Sequence, residues 1–242
     1  MTLEVHLFPC LSDNYGLLVR DPATGTVAAI DTPDADRILE ELEGLGWGRL
    51  DLILNTHWHP DHTGGNAALQ TATGCIIHGP EEVRRAAPLD HVIADGDTLS
   101  VGQTRLRVMA APGHTLGHVV LHDVEGRTAF VGDVLFTLGC GRLFEGTPDQ
   151  MWASLSALMD WPDETVIWCA HEYTASNARF ALSIDDGPEL RAHVEDLMRQ
   201  IEAGRPTVPT TLGAERRFNP FLTAGSAATF AERRAAKDSF RG

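Results

Sequence analysis

The sequence predicts an α/β protein in which buried strands end at loops rich in histidine and aspartate. Short apolar runs bounded by turn residues alternate with segments of helical periodicity, which is the pattern of strands and helices packed in layers. Residues of the metal-ligand type directly follow four of the apolar runs. With 242 residues, of which 43% are hydrophobic, the chain can bury a sizeable core, as one large domain or as a domain with an appendage.

The N-terminal part is predicted to contain three strands, followed by the first helix. The strands cover Leu3–Phe8, Tyr15–Arg20 and Thr26–Asp31, with a turn at Ser12–Asn14. Helices are predicted over Asp34–Leu45 and Ala67–Ala72, and a third begins at Thr147–Gln150, a capping box with proline at the first helical position. Asp31, at the end of a strand, is either a hydrogen-bond partner for a metal-bound histidine or a cap for the helix that follows.

Ligand-type side chains are densest in the loop after the predicted buried strand Leu50–Asn55. This loop carries three histidines and one aspartate within six residues: His57, His59, Asp61 and His62. Imidazole nitrogens and carboxylate oxygens are common ligands of zinc and similar transition metals. His57 and His59 are two residues apart and point to one side of an extended segment, whereas the other two follow a proline bend. One metal could therefore take the first pair, and a second metal the other pair.

Single ligand-type residues follow apolar strands further along the chain. Strands are predicted over Cys75–His78, Thr98–Val101, Leu106–Ala110, Val119–His122, Thr128–Val131 and Thr165–Cys169. His114, Asp133 and His171 each lie just beyond one of these strands. Strand ends gathered on one edge of a layered sheet could bring all seven ligand-type residues together. Seven ligands with Asp133 shared is the number that two metals need, with room left for a bridging water.

Charge, hydropathy and cysteine usage limit the partners and the compartment. A formal net charge of −15 argues against nucleic acid, and the acidity is confined to residues 1–171. No apolar run is long enough to cross a bilayer, and the first residues lack the basic and apolar regions of a secretion signal. The four scattered cysteines favour the reducing cytoplasm: Cys10, Cys75, Cys140 and Cys169. We therefore expect a cytoplasmic protein with no nucleic-acid and no membrane partner.

The order of the ligand-type residues resembles that of the metallo-β-lactamase superfamily, in which His-x-His-x-Asp-His is followed by a lone His, a Gly-Asp pair and a final His. Further segments are similar to those of the glyoxalase II family, the hydroxyacylglutathione hydrolases. These segments are Gly132–Phe136, Gly139–Arg142, His171–Thr174, Pro206–Leu212, Asn219–Phe221 and Arg234–Asp238. The resemblance implies a metallo-β-lactamase-like αββα catalytic sandwich in residues 1–170. It also implies a small helical substrate-binding domain in residues 171–242.

The resemblance implies a role for each matching residue. The metal ligands form two sets around a bridging carboxylate: His57, His59 and His114 for the first metal, Asp61, His62 and His171 for the second, and Asp133 as the bridge. Asp61 and Asp133 are thus the expected catalytic residues, and the two divalent metals are expected to be zinc, with iron or manganese as alternatives. Glutathione would be held by five residues: Arg142, Phe144, Tyr173, Arg234 and Lys237. Arg142 replaces the family's lysine with a different hydrogen-bond geometry, and Phe144 replaces a tyrosine and lacks its hydroxyl.

The activity that the resemblance implies is hydrolysis of the thioester S-D-lactoylglutathione to D-lactate and glutathione, the second step of methylglyoxal detoxification. Two metals about 3.5–4 Å apart would hold a hydroxide that attacks the thioester carbonyl. The thiolate leaving group needs no general acid. Because a protein nucleophile is then unnecessary, Cys140 and Cys169 are expected to be small buried residues. We expect a monomer that acts on this small molecule.

Two alternative functions remain compatible with the same motif. A persulfide dioxygenase of the superfamily would hold a single iron, but such enzymes normally lack the Gly139–Arg142 segment and this tail. A non-enzymatic binding module would keep the fold, although such proteins usually lose metal ligands and all seven are present here. Hydrolysis of a glutathione thioester is the property that separates the three functions.

Overall fold

The computed structural model describes residues 2–241, which divide into two compact units. The first unit consists of the residues up to Ala110 together with Gly117–Gly132, and the second of Ala111–Leu116 together with the residues from Asp133 onward. Within residues 2–241, no helix is both long enough and apolar enough to cross a membrane.

The first unit contains a six-stranded mixed sheet whose strands lie in sequence order. The strands are β1 (Glu4–Cys10), β2 (Asn14–Arg20), β3 (Val27–Ile30), β4 (Leu52–Leu54), β5 (Ile76–Gly79) and β6 (His91–Val92). Pairing is antiparallel from β1 to β3 and parallel from β3 to β6. The intervening segments carry α1 (Ala35–Gly44), α2 (Pro60–Thr63) and α3 (Asn66–Thr73). Helices alternate with strands here because parallel neighbours need a long crossover connection.

An apolar layer joins α1 and α3 to this sheet. Ile38 and Leu42 of α1 and Leu69 of α3 lie in one buried cluster with Ile53 and Ile77 of the strands. Burial of one such aliphatic side chain contributes about 1.5–3 kcal/mol. The layer therefore anchors the strands whose ends lead into the histidine-rich loop.

The first unit also contains four antiparallel strands arranged as a meander. They are β7 (Thr98–Val101), β8 (Thr104–Ala110), β9 (Val119–Asp123) and β10 (Thr128–Gly132). Gly102, in the tight turn between β7 and β8, has a φ of +59°, a conformation that glycine adopts without steric cost. Every residue of β9 and β10 is buried, as expected for an inner sheet of a layered protein.

The second unit is mainly helical. Two pairs of short strands are antiparallel: β11 (Leu135–Phe136) with β12 (Gly139–Cys140), and β13 (Val166–Cys169) with β14 (Thr210–Thr211). The helices are α4 (Pro148–Leu158), α5 (Thr174–Ile184), α6 (Pro188–Glu202), α7 (Leu212–Phe218) and α8 (Ala227–Ser239). Trp152 of α4 lies against Phe230 of α8 with ring centres 6.0 Å apart. The ring centre of Phe221 lies 5.9 Å from that of Phe230. These aromatic contacts form an apolar interior for the unit.

Most of the predicted elements are present within one or two residues of their predicted bounds. The strand predicted over Leu50–Asn55 is observed as Leu52–Leu54, and the loop after it contains a single helical turn that begins at Pro60. The sequence does not predict β6, β11, β12 or β14, because a strand of two residues is too short to show an alternating pattern.

The capping box predicted at the start of α4 is confirmed. The Thr147 side chain accepts a hydrogen bond from Gln150 N at 3.2 Å, and the Gln150 side chain accepts one from Thr147 N at 2.9 Å. Both N–H groups lie at the start of the helix, where backbone donors have no hydrogen-bond acceptor within the helix.

Removal of this cap by Thr147→Ala is expected to lower the free energy of unfolding by about 1 kcal/mol. Urea denaturation followed by circular dichroism measures the change. Thr71→Ala, at an exposed site inside α3, is the matched control and should change stability by no more than about 0.5 kcal/mol. Equal stability of Thr147→Ala and the unsubstituted chain would show that the box contributes nothing.

Candidate functional site

The histidine-rich loop of the first unit follows β4 and holds its rings close together. His57 is fully buried, and its Nε2 lies 3.0 Å from Nδ1 of His59. The rings of His57 and His62 have centres 4.0 Å apart. Pro60 ends the extended segment and starts α2, which carries Asp61 and His62, with Asp61 Oδ2 3.4 Å from His62 Nε2. The loop thus presents several metal-type donors in a small volume.

Asp31 fixes the orientation of His62. Its Oδ2 lies 2.8 Å from His62 Nδ1, and because a carboxylate only accepts hydrogen bonds, this nitrogen carries the proton. The Nε2 atom is then left as the one that can bind a metal. The same carboxylate accepts hydrogen bonds from Thr56 N at 2.8 Å and from Thr56 Oγ1 at 2.7 Å. Helix α1 is capped by Asp34 instead, so the hydrogen-bonding alternative for Asp31 is the correct one.

Two further contacts in the first unit support the loop, and the one made by Asn14 was missed from the sequence. Asn14 is buried, and its Nδ2 donates to Asp61 Oδ2 at 3.0 Å. The only sequence signal for Asn14 is its place in the turn after β1. His118 is fully buried and stacks on His57 with ring centres 4.7 Å apart. A side chain at Gly132, which has a φ of +49°, would clash with Thr56 and His118, so this close approach requires glycine.

The second unit brings together the other three predicted ligands. His114, Asp133 and His171 are at most 6% exposed. Asp133 Oδ2 lies 3.3 Å from His114 Nε2, and Asp133 Oδ1 lies 3.3 Å from His171 Nε2. His114 Nδ1 donates to the carbonyl oxygen of Arg142 at 2.9 Å, which again leaves Nε2 for a metal. A carboxylate whose two oxygens face two different imidazoles has the arrangement needed to bridge two ions.

The donor types of both units fit divalent transition metals. Buried imidazole and carboxylate groups suit zinc, iron or manganese and would be unfavourable in this concentration without a positive ion. Within the first unit, ligand atoms of Asp31, His57 and His62 lie within 4.8 Å of one another. The ring orientations set by Asp31 and by the Arg142 carbonyl are those that metal-binding histidines adopt.

All five predicted substrate-binding residues line one cavity of about 360 Å³ in the second unit. Its wall consists of His114, Asp133, Phe136, Cys140, Arg142, Phe144, Tyr173, Ser176, Asn177, Arg234 and Lys237. The cavity therefore joins two predicted metal ligands to the residues that the family resemblance assigns to glutathione binding. Ser176 and Asn177, which were not predicted, belong to the same wall.

Three cationic side chains give this cavity a positive end. Lys237 Nζ donates to Ser176 O at 2.9 Å and to Ser176 Oγ at 2.8 Å. Partial burial, and then the neighbouring arginines led by Arg234, lower the pKa of Lys237 from 10.5 to about 8. Arg234 is 4% exposed and donates to Cys140 O at 2.9 Å and to Asp238 at 2.9 Å. Arg142 is exposed, with its guanidinium 3.7 Å from Asp238.

Two aromatic rings border the predicted metal ligands in the same unit. The Tyr173 ring stacks on His171, with ring centres 4.7 Å apart and planes within 4°. The Phe144 ring meets His114 edge-on at 5.3 Å and is 63% exposed. Phe144 thus retains the ring contact of an aromatic residue at this position, although it lacks the hydroxyl of a tyrosine.

The buried cysteines have the properties of inert thiols. All four are free and buried. Burial raises the pKa of Cys140 to about 11 and that of Cys169 to about 12, so almost no thiolate is present at neutral pH. This agrees with the expectation that neither residue acts as a nucleophile.

Two family models together match nearly the whole chain. The model described as the metallo-beta-lactamase superfamily matches residues 16–171, and the model described as the hydroxyacylglutathione hydrolase C-terminus matches residues 172–240. The chain is 48% identical to a hydroxyacylglutathione hydrolase from Erythrobacter litoralis, an alignment that covers 98% of this chain and 100% of the relative.

Solved structures share the fold. The crystal structure of ETHE1 from Myxococcus xanthus has a TM-score of 0.76 at 26% identity and covers 100% of this chain and 93% of that chain. The structure of TTHA1623 in a di-iron-bound form has a TM-score of 0.66 at 26% identity, with coverage of 90% and 100%. The predicted metallo-β-lactamase fold with a helical C-terminal region is confirmed. This fold and the His/Asp clusters support the binding of divalent metal.

Replacement of Asp31 is expected to weaken metal binding. In Asp31→Ala, His62 loses the acceptor that orients it, and affinity for zinc should fall about 10- to 100-fold. Competition with a chromophoric chelator measures this affinity. Asp34→Ala, which removes the cap of α1 only, is the control and should keep the affinity of the unsubstituted chain. If both variants bind zinc equally well, Asp31 does not support a metal ligand.

Proposed function

The chain belongs to the hydroxyacylglutathione hydrolase family of the metallo-beta-lactamase superfamily, and from this premise we propose the hydrolysis of S-D-lactoylglutathione to D-lactate and glutathione as its reaction. It is an enzyme, a thioester hydrolase of the glyoxalase II type. Its place is the second step of methylglyoxal detoxification. The observation that carries the choice of substrate is the cavity that joins His114 and Asp133 to three cationic side chains.

The charge of the cavity suits this substrate. Glutathione carries two carboxylates and one ammonium, so its thioester is a net anion that must approach a chain of net charge −15. Arg142 and Lys237 offer cations to the carboxylates, and Arg234 lines the same wall. Tyr173 and Phe144 offer ring faces to the apolar parts of the tripeptide. The acyl end is then directed toward Asp133.

We propose that the seven predicted ligands hold two divalent metals. One set is His57, His59 and His114, the other is Asp61, His62 and His171, and Asp133 is the bridge. Support comes from the donor types, from the two oxygens of Asp133 that face different imidazoles, and from the 26% identity to a protein crystallised in a di-iron-bound form. Zinc is the proposed metal, with iron or manganese as the alternatives.

The chain's own residues contribute orientation to the reaction. When bound, the metals supply a nucleophile derived from water at neutral pH and polarise the thioester carbonyl. Asp31 and the Arg142 carbonyl hold the rings of His62 and His114 in the ligand-forming orientation. Asn14 holds Asp61. The thiol from which the departing thiolate derives has a pKa of about 8.5, so the thiolate leaves without a proton donor.

The dioxygenase alternative is disfavoured. Three relatives that match 98% of the chain at 46–49% identity are named hydroxyacylglutathione hydrolases, and residues 172–240 match that family's C-terminal model. The binding-module alternative is disfavoured by the same family membership.

The domain division, the cellular location and the oligomeric state are proposed as well. We propose residues 1–170 as the catalytic domain and residues 171–242 as the substrate-binding domain. A cytoplasmic location is supported by four free, buried cysteines, which suit a reducing compartment. A monomer is proposed, since the predicted site draws only on residues of one chain.

An assay with S-D-lactoylglutathione tests the function. Loss of the thioester should proceed with kcat/KM on the order of 10⁴ M⁻¹ s⁻¹ or above. Glutathione persulfide is the comparison substrate, and its addition should cause no oxygen uptake. Oxygen uptake without thioester hydrolysis would contradict the hydrolase function and favour the dioxygenase function.

Metal content tests the proposed ligand sets. Elemental analysis should approach two metals per chain, and His171→Ala should retain roughly one, because it removes a ligand of only one ion. His193→Ala is the matched control: this histidine stacks on Phe218 at 4.5 Å and is not a predicted ligand. Saturation of the unsubstituted chain at one metal would contradict the dinuclear proposal.

The lowered pKa of Lys237 predicts a pH dependence of substrate binding. An amine with a pKa of about 8 is charged at pH 7 and mostly neutral at pH 9, so KM should rise about threefold or more over this range. Lys237→Arg keeps its charge throughout, and its KM should rise less. Identical pH profiles of KM in the two proteins would exclude Lys237 as a contact for a substrate carboxylate.

A further inference from the structure

The hairpin of β11 and β12 is buried in the second unit and has a strained turn. Thr137 and Leu138 form the turn, and both are at most 1% exposed. Leu138 has a φ of +56°, in the left-handed region that a branched residue rarely adopts. Such a conformation persists only where surrounding contacts determine it.

Side chains from the helical part of the unit bind the backbone of this hairpin. Four carbonyl oxygens accept hydrogen bonds from buried side chains: Phe136 and Gly139 from Asn219 Nδ2 (3.2 and 2.9 Å), Thr137 from Asn177 Nδ2 (3.1 Å), and Cys140 from Arg234 (2.9 Å). The N–H of Leu138 donates to Glu215 Oε2 at 2.9 Å. These side chains take the place that water has around an exposed turn.

Glu215 and Asn219 are the centre of this set, and both are 0% exposed. Glu215 Oε1 accepts from Thr210 Oγ1 at 2.7 Å, and Oε2 accepts from Asn219 Nδ2 at 2.9 Å. Asn219 is fixed in turn, because its Oδ1 accepts from Phe221 N at 2.9 Å. Neither side chain can rotate without leaving buried polar groups unsatisfied, which is unfavourable.

The hairpin connects directly to the candidate metal ligands of the same unit. Asp133 lies two residues before β11, and Arg142 lies two residues after β12. Gly141 N donates to Val134 O at 3.3 Å, and a side chain at Gly141 would overlap the carbonyl oxygen of Asp133. The Arg142 carbonyl orients His114. A displaced hairpin therefore displaces Asp133 and rotates His114.

We propose that Glu215 and Asn219 are positioning residues that hold the β11–β12 hairpin and through it set the places of Asp133 and His114. This inference rests on the hydrolase function proposed above. Among residues 2–241, the wall of the substrate cavity includes neither Glu215 nor Asn219. They act through the hairpin, so their loss reduces turnover more than it changes substrate binding.

The hairpin needs a hydrogen-bond acceptor at position 215 and does not need a charge there. Burial disfavours the ionised form and raises the pKa of Glu215 to about 7. In Glu215→Gln, the amide oxygen can accept from Leu138 N and Asn219 Nδ2, while the NH₂ group donates to Thr210 Oγ1. In Glu215→Met the side chain is of similar length and both acceptors are lost.

Steady-state kinetics of metal-loaded proteins with S-D-lactoylglutathione give the first test. In Glu215→Met, kcat should fall about 10- to 100-fold with a smaller change in KM. Glu215→Gln should restore kcat to within about threefold of the unsubstituted chain. Val101→Ala, at a buried position of β7 in the first unit, controls for loss of stability and should keep kcat.

Amide hydrogen exchange gives a second test that does not depend on activity. In Glu215→Met the Leu138 amide should exchange about 10- to 100-fold faster, while the amides of β9 should be unchanged. In Glu215→Gln the Leu138 amide should stay protected. Asn219→Ala, examined by the same exchange measurement, should also expose the Leu138 amide, because Glu215 then loses a donor that holds it.

The outcomes separate this inference from the proposed function. If the unsubstituted chain does not hydrolyse the thioester, both the proposed hydrolase function and the positioning role are contradicted. An active chain whose Glu215→Met variant keeps kcat, or loses it equally in Glu215→Gln, overturns the positioning role alone. Unchanged exchange of Leu138 in Glu215→Met also overturns it, because the hairpin is then held by other contacts.

Discussion

Metal-binding imidazoles must be held in one tautomer and one orientation, and much of this structure meets that requirement. The Asp31 carboxylate accepts a hydrogen bond from Nδ1 of His62, and the Arg142 carbonyl accepts one from Nδ1 of His114. In each ring the other nitrogen is left to bind a metal. Asp31 does so with a φ of +58°, an uncommon conformation at the end of a buried strand. Two hydrogen bonds from Thr56 hold it there. Strand ends are suitable supports because the sheet fixes them while the following loop remains free to turn.

The helical C-terminal segment has two physical tasks within the second unit. Its surface residues, such as Lys237, supply positive charge to a cavity in a strongly acidic protein. Its buried polar residues, such as Asn219, hydrogen-bond the backbone of the β11–β12 hairpin. Both tasks belong to residues 172–240, the segment that matches the family's C-terminal model.

Most of the longer strands and the helices α1, α3 and α4 could be predicted because their signals are local. Alternation, helical periodicity, turn residues and the capping box at Thr147 each act over a few residues, and the observed elements follow them closely. The short strands could not be predicted, because they exist only through their partners. Asn14 and Glu215 show the same limit for side chains: each is an ordinary polar residue in the sequence, and its role comes from a partner 47 or 77 positions away, respectively.

The sequence by itself determined the fold class, the family and the residue types able to bind metal, because a run such as His57–His62 has few purposes other than ligation. Only the tertiary structure decided how the donors are oriented. It selected the hydrogen bond to His62 over the helix cap for Asp31, and it grouped the five predicted substrate-binding residues around one cavity. The physical reason is that hydrogen bonds and burial between distant segments depend on the packed chain, which no local pattern encodes.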